Sequence, residues 1–363
     1  GGRTEGNRGY IGNEAGSSGV ALVTGAGSVW STAGKFVVGV DGSGTLTVEN
    51  GGKVSANVID VAYRAGSSGV LNVGAAANQT ATAAGILDAD RIHFGSGNGQ
   101  LIFNFTDDSY ILDALIDGSG EISLYSGNLL LTGASGDFTG NTNVFNGVLS
   151  VNGTLGGDVF VSSGGELKGS GTVGSIAIGS GGVLAPGNSI GVMTAGDVTF
   201  SSGSTFQVEV DANGNSDKLV STGAVTINSG SAISILPENG TDNGATYDPY
   251  TTYTLVTADN GVFGTFGAVS DSFAFLDVNL SYDANNVYLA LLRNNMDFTS
   301  IAETRNQFAV AGVVEAQGTA GALYRAVLPL TEQGARDAFD QLSGEVYAST
   351  QSMLLDDSRF VRE

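Results

Sequence analysis

With 363 residues and a formal net charge of −22 (14 Lys and Arg against 36 Asp and Glu), the chain lacks the positive field that nucleic acid or an anionic membrane surface would need. It has no cysteine, which excludes disulfides, thiolate nucleophiles and Cys-ligated zinc. Its 57 glycines suggest a linker, but 41% hydrophobic residues in short regular runs, with only 14% charged, point instead to many short buried strands joined by many turns.

The chain opens at Gly1 with GGRTEGNRGY, in mid-pattern and without a signal peptide, an initiator Met or a long apolar run. It reads as a fragment of a longer precursor. The segment AGSSGV occurs at Ala15–Val20 and again at Ala65–Val70, and Asp41-Gly-Ser-Gly-Thr-Leu46 sits halfway between. Aligning Gly19, Gly44 and Gly69 gives two steps of 25 residues. Each copy reads as a short strand (Val38–Val40; Val58–Val61), a Gly/Ser turn and a second strand (Val20–Val23; Thr45–Val48; Val70–Val73).

A unit this small cannot bury its apolar side chains alone, whereas stacked copies can, by coiling into a parallel β-helix. Leu46, Val48, Leu71 and Val73 are then expected to point inward, with glycines at the corners. At ~4.8 Å per rung the β-patterned residues make about a dozen turns and a rod on the order of 60 Å long. A β-sandwich or barrel also has short strands and glycine-rich turns, but the fixed period and scarce charge favour the solenoid. Less regular runs follow at Ile86–Phe94, Leu101–Phe105, Ile122–Leu131, Asn143–Val151, Asp158–Val161 and Val173–Ile178.

From Leu129 the chain reads LLLTGASGDFTGNTNVFNGVLSVNG, then GGELKGSGTVGSIAIGSGGVLAPGNSIGVMTAGDVTF. Gly203-Ser-Thr-Phe-Gln-Val-Glu-Val210, Ser216-Asp-Lys-Leu219, Tyr253-Thr-Leu-Val256, Gly264-Thr-Phe266 and Val287–Asn294 follow in order. This stretch, Leu129 to Asn294, resembles the C-terminal passenger region of bacterial autotransporters, the type V secretion family. The resemblance implies an all-β, right-handed parallel β-helix with a C-terminal α-helical segment. It divides the chain into a repeat stalk (1–181), a closing block that acts as an autochaperone (182–294) and a helical linker (295–363) to a translocator β-barrel beyond the chain.

The residues themselves support a capping role for the closing block. Phe206, Val208 and Val210 share one strand face, with Gln207 and Glu209 on the other. Tyr and Phe cluster between Tyr247 and Tyr288, as a plug over an open solenoid end would require. The marked autochaperone motif is Pro186, Gly187, Asn188, Ser189, Ile190 and Gly191 together with Phe206, Val208 and Val210.

After Asn295 the period becomes helical. Ser300 and Glu303 have capping-box spacing, and Ile301, Arg305, Phe308, Ala309 and Val313 follow along one face. Pro329 and Thr331 open a second helix through Phe339 and Leu342, and a third runs from Ser343 towards Phe360. Ala338–Glu363 resembles the region just before the barrel of the same family.

Gly187-Asn-Ser-Ile-Gly191 matches the G-x-S-x-G nucleophile elbow in letters, but no helical pattern follows it. The single histidine, His93, lies upstream, against the Ser…Asp…His order of such hydrolases. Asp211–Asp217 is rich in oxygen donors yet lacks the glycine and the glutamate of an EF-hand, so it reads as a polar turn. Gly95–Gln100 approaches a calcium-binding β-roll repeat, but Gln100 stands where an Asp is needed. No catalytic set, metal or cofactor is therefore expected. Paired asparagines at Asn294 and Asn295 are a candidate processing site, because some members of the resembled family cut themselves at such a pair.

Three functions fit. The first is a surface-exposed adhesin-like stalk, anchored through its own C-terminal outer-membrane barrel and facing host or neighbouring cells. The second is the non-catalytic stalk of a secreted protease or esterase whose catalytic domain precedes Gly1. The third, a free polysaccharide lyase, needs a charged cluster on one face, and none is evident in the sequence. The expected location is the Gram-negative outer membrane or cell surface, with release on cleavage.

Overall fold

The computed structural model describes residues 1–211, 214–238 and 252–344. Parallel strands dominate as far as Arg293 and stack into a β-helix. An eleven-stranded sheet runs along the rod from Ser18–Thr24 through Ser43–Glu49, Ser68–Gly74, Asn98–Asn104 and Glu121–Ser126 to Val262–Gly264. One seven-stranded and two eight-stranded sheets form the other faces. Eleven strands at ~4.8 Å span about 50 Å, a little under the length expected from the sequence.

The repeat is one turn of this helix: Gly19 pairs with Gly44, and Gly44 with Gly69, in unbroken register. The core follows from the alternation of side chains. Leu46, Leu71, Leu101 and Ile122 occupy one inward column, each fully buried. Val48, Val73, Phe103 and Leu124 fill the next. The inward placement of Leu46, Val48, Leu71 and Val73 thus matches the expectation. Each such residue contributes about 1.5–3 kcal/mol of burial.

Three of the irregular runs hide a corner. Ile122–Leu131 divides at Gly127 (φ +99°) into Glu121–Ser126 and Asn128–Leu131, which lie on different sheets. Asn143–Val151 divides before Gly147 (φ +86°), and Val173–Ile178 divides between Val173 and Ile176. A glycine with a polar neighbour marks each bend (Ser126-Gly-Asn128, Asn146-Gly147, Gly174-Ser175), a turn signal that apolar periodicity passes over. At another corner four glycines stack, Gly120, Gly140, Gly157 and Gly174. A Cβ on Gly140, Gly157 or Gly174 would stand 1.8, 1.9 or 1.7 Å from the carbonyl oxygen of the glycine one rung before it.

The rod closes by changing its pairing. Thr252–Ala258 and Leu276–Tyr282 both pair antiparallel with Asn286–Arg293, whereas the other described strand pairs are parallel. Phe200, Phe206 and Phe266 pack beneath this end with centroids 5.3–5.8 Å apart. Aromatics also gather further up the rod, where Phe103, Phe105 and Tyr110 pack with centroids 5.4–6.4 Å apart. Tyr247 and Tyr250, from the predicted cluster, lie outside the described residues.

Helical structure begins where expected, with different details. Phe298–Ile301 forms a 3₁₀ turn, and the capping box is made by Thr304 and Gln307 in place of Ser300 and Glu303. Helix α1 (Arg305–Glu315) buries Gln307, Ala311 and Val314, leaving Phe308 and Val313 exposed. A short α2 (Ala322–Val327) precedes α3 (Glu332–Ser343), which Thr331 caps by accepting the Gly334 N–H at 3.0 Å. Gly344 takes φ +68° and ends α3; the rest of the third predicted helix lies outside the described residues. Among the described residues no helix is long and apolar enough to cross a membrane.

Candidate functional site: the PGNSIG turn and the closing end

Strand Val183–Pro186 delivers the chain to a corner. Pro186 pairs with Gly169, and Gly187 (φ +92°) then exchanges two 2.9 Å backbone hydrogen bonds with Gly169. The turn projects Asn188 and Ser189. Asn188 Nδ2 donates to Asn152 Oδ1 at 2.8 Å, and Ser189 Oγ donates to Glu238. Ile190 and Gly191 lead straight into strand Val192–Ala195, so the geometry is a strand-to-strand corner with no helix behind Ser189. His93 Nδ1 lies 2.6 Å from Asp117 Oδ1 on another sheet, and nothing brings it to Ser189.

The corner is fastened from beneath by Asp217, a residue that sequence reasoning placed at the end of the polar turn. Asp217 is 2% exposed. Its Oδ1 accepts the Gly191 N–H and its Oδ2 the Glu209 N–H, both at 2.8 Å. A Cβ on Gly187 would stand 2.6 Å from Asp217 Oδ1 and 2.0 Å from the Ser189 carbonyl oxygen, so both flanking glycines and the carboxyl form one unit. Glu209 belongs to Thr205–Val210, where Phe206, Val208 and Val210 are fully buried. One buried carboxyl thus ties the two halves of the predicted motif together.

Burial pushes the Asp217 carboxyl up to about 7, against the pull of its two backbone N–H donors; Glu209 adds to the rise and Lys168 opposes it. The unfolded carboxyl ionises near pH ~4. The stability that Asp217 contributes is therefore complete below about pH 4 and falls as pH rises through about 7. Asp217→Ala should cost about 2–5 kcal/mol at low pH, because two buried N–H groups lose their acceptor. Urea unfolding at acid and neutral pH checks both points, and Asp217→Asn should remove the pH slope.

At the far end, Arg293 joins the last strand to the helices. Its guanidinium sits 5.5 Å from the Phe275 ring and 5.3 Å from that of Phe298. It donates to Tyr324 Oη at 3.1 Å, Glu315 Oε1 at 3.1 Å and the Met296 carbonyl at 2.6 Å. Phe298 is fully buried against Phe275, Tyr324 and Phe339. The candidate processing pair lies beside this cluster. Asn294 Oδ1 accepts from Arg293 and the Met296 N–H, and Asn294 Nδ2 donates to the Ala274 carbonyl at 3.2 Å, while Asn295 is exposed. Arg293 was missed from the sequence; its isolation between Lys218 and Arg305 was the available signal.

In the polar turn, Asp211 accepts from the Asn215 N–H and Nδ2 at 2.8 and 2.7 Å, while Tyr253 Oη donates to the Asp211 carbonyl at 2.8 Å. Gln100 lies on a strand and donates to Glu121 Oε2 at 3.2 Å. Among the described residues no three His, Asp or Glu side chains are grouped to hold a metal.

A parallel β-helix closed by an antiparallel hairpin and a docked helical segment is the class that fold and site define, and comparison places the chain beside autotransporter-type proteins. It is 31% identical over 203 residues to an extracellular serine protease of Serratia marcescens, covering 55% of this chain and 19% of the relative. A second extracellular serine protease of that organism is 27% identical over 294 residues, covering 68% of this chain and 28% of the relative. The BmaC autotransporter adhesin of Brucella suis biovar 1 (strain 1330) is 37% identical over 110 residues, covering 29% of this chain and 3% of the relative. The chain therefore spans 19% and 28% of the length of these two proteases. No family model matches it.

Proposed function

We propose that the chain is part of an autotransporter passenger: a non-catalytic, adhesin-like stalk displayed outside a Gram-negative cell, carried there with an outer-membrane β-barrel belonging to the same precursor. The observation that carries this reading is the single inward register, from Leu46 through Ile122 and on to Val225, ending in an antiparallel closure. Such a rod offers long exposed faces and holds its ends apart, as a stalk must. The relation to an autotransporter adhesin supports the adhesive role. The two protease relatives favour a second reading, in which the same stalk carries a protease domain.

Residues 182–294 act as the autochaperone in this proposal. The PGNSIG corner, Asp217 and Phe206–Val210 form one interlocked block, and a closed rod end presents a ready template to which the next rung adds. Phe206 and Leu71 are equally buried, which makes them a matched pair for testing the idea. Phe206→Glu should abolish refolding and secretion of the whole rod. Leu71→Glu should leave the C-terminal part protease-resistant. Equal refolding rates and equal protected fragments for the two variants would contradict the assignment.

A further inference from the structure

We propose that a groove on the seven-stranded face, near Gly9–Ile11, binds a neutral carbohydrate chain. The cleft has a volume of about 630 Å³, within the usual range for small-ligand sites, and is lined by Arg8, Tyr10, Lys35, Asp60, Tyr63 and Arg64 among others. Tyr10, Val37 and Asp60 stand in register on successive rungs, so the backbones of Tyr10 and Asp60 lie two strand spacings apart, ~10 Å. Tyr10 and Tyr63 are 44% and 40% exposed, and both line the cleft.

The feature that asks for a ligand is Asp60. It is wholly buried; its Oδ2 accepts from Lys35 Nζ at 2.9 Å, and its Oδ1 has no partner. A buried carboxylate oxygen without a donor is costly, and a donor supplied from the cleft removes that cost. Asp60 is among the residues that line the cleft, and Lys35, about half exposed and 5.3 Å from the Tyr63 ring, stays on Oδ2 and leaves Oδ1 to the ligand.

The chemistry of the donor follows by elimination among the groups present. A metal ion would have to settle beside the Lys35 ammonium on Asp60, and no grouping of metal ligands occurs among the described residues. A polyanion gains little, because Lys35 is paired with Asp60 and Arg64 with Asp41 at 2.8 Å, in a chain of net charge −22. A sugar ring satisfies every group. One hydroxyl donates to Asp60 Oδ1, others accept from Arg8 and Arg64, and the C–H face covers a tyrosine ring.

The ligand class deepens the adhesive part of the function proposed above and borrows its biological setting. The test presents the 363-residue chain to immobilised neutral oligosaccharides of glucose, galactose, mannose and N-acetylglucosamine, with heparin and polygalacturonate alongside, at low and high salt. Binding to a neutral oligosaccharide, insensitive to salt, is expected. Tyr10→Ala and Tyr63→Ala should each weaken it by about tenfold or more. Both rings are exposed, so refolding and circular dichroism should match the wild type. Three outcomes overturn the groove: no neutral oligosaccharide bound, binding only of the acidic polymers and lost in salt, or binding unchanged in both tyrosine variants. Any of these with normal refolding leaves the stalk reading intact, whereas loss of refolding in Phe206→Glu and Leu71→Glu alike would strike the autochaperone and leave the groove standing.

Discussion

Gly157→Val is expected to destabilise the middle of the rod by about 3 kcal/mol or more. Two penalties add at this position. The backbone sits at φ +72°, which a β-branched residue resists, and the new Cβ would fall 1.9 Å from the Gly140 carbonyl oxygen. That oxygen belongs to the backbone of the neighbouring rung, so no side chain can rotate away to make room. Gly16→Val separates the terms, because Gly16 has φ +74° with nothing within 4 Å of its Cβ position. It should cost only about 1–2 kcal/mol, the conformational part alone. Urea midpoints of the two variants measure the difference, and equal midpoints would show that rung-to-rung contact at the glycine column is unimportant.

Phe298→Ala should release the helical segment while the rod stays folded. Phe298 is fully buried where Phe275 of the rod meets Tyr324 and Phe339 of the helices. Truncating a phenylalanine in such a place costs about 3–5 kcal/mol. Among the described residues the other hydrogen bonds from the helices to the rod include those of Arg293 and the Ala274 N–H bond to the Leu330 carbonyl at 2.9 Å. Stability in a stacked rod is local, so the loss should stay at this end. Limited proteolysis should cut between the last strand and α1, and the helical part of the circular dichroism should melt first. Arg293→Lys should give a milder form of the same phenotype, because an ammonium cannot hold Tyr324, Glu315 and the Met296 carbonyl at once.

Where rungs repeat at a fixed step, the sequence showed the fold directly. Gly19, Gly44 and Gly69 are true register partners because identical side chains meet identical neighbours one turn on. Further along, the step shortens, with Val159 facing Ile176, and then lengthens, with Val225 facing Val262, so no single period survives. Corners such as Gly127 stayed hidden for a different reason: the signal is a single polar triplet, Ser126-Gly-Asn128, in a chain where such triplets are frequent. Helix α1 starts at Arg305, later than a cap at Ser300 implies, and is turned the other way, since Gln307 is buried by its capping role and its bond to Asp340, which apolar periodicity does not register.

The site was legible as a set of letters and not as a mechanism of assembly. PGNSIG and Phe206–Val210 stood out, while the carboxyl that joins them, Asp217, looked like the tail of a polar loop. Its importance comes from two backbone donors that approach from different rungs. The charged groove near Tyr10 escaped notice for the same reason. Arg8, Lys35, Asp60 and Arg64 are far apart in sequence and meet only when rungs stack. Spacing along a chain records neighbours within a strand, whereas a β-helix builds its surfaces across strands.

The most direct test of a stack closed and templated from its C-terminal end is pulsed hydrogen exchange during refolding. Amides of 192–235 should become protected first, and those of 43–73 should follow as rungs add one by one. Protection arising first at 43–73, or at both ends together, would contradict it.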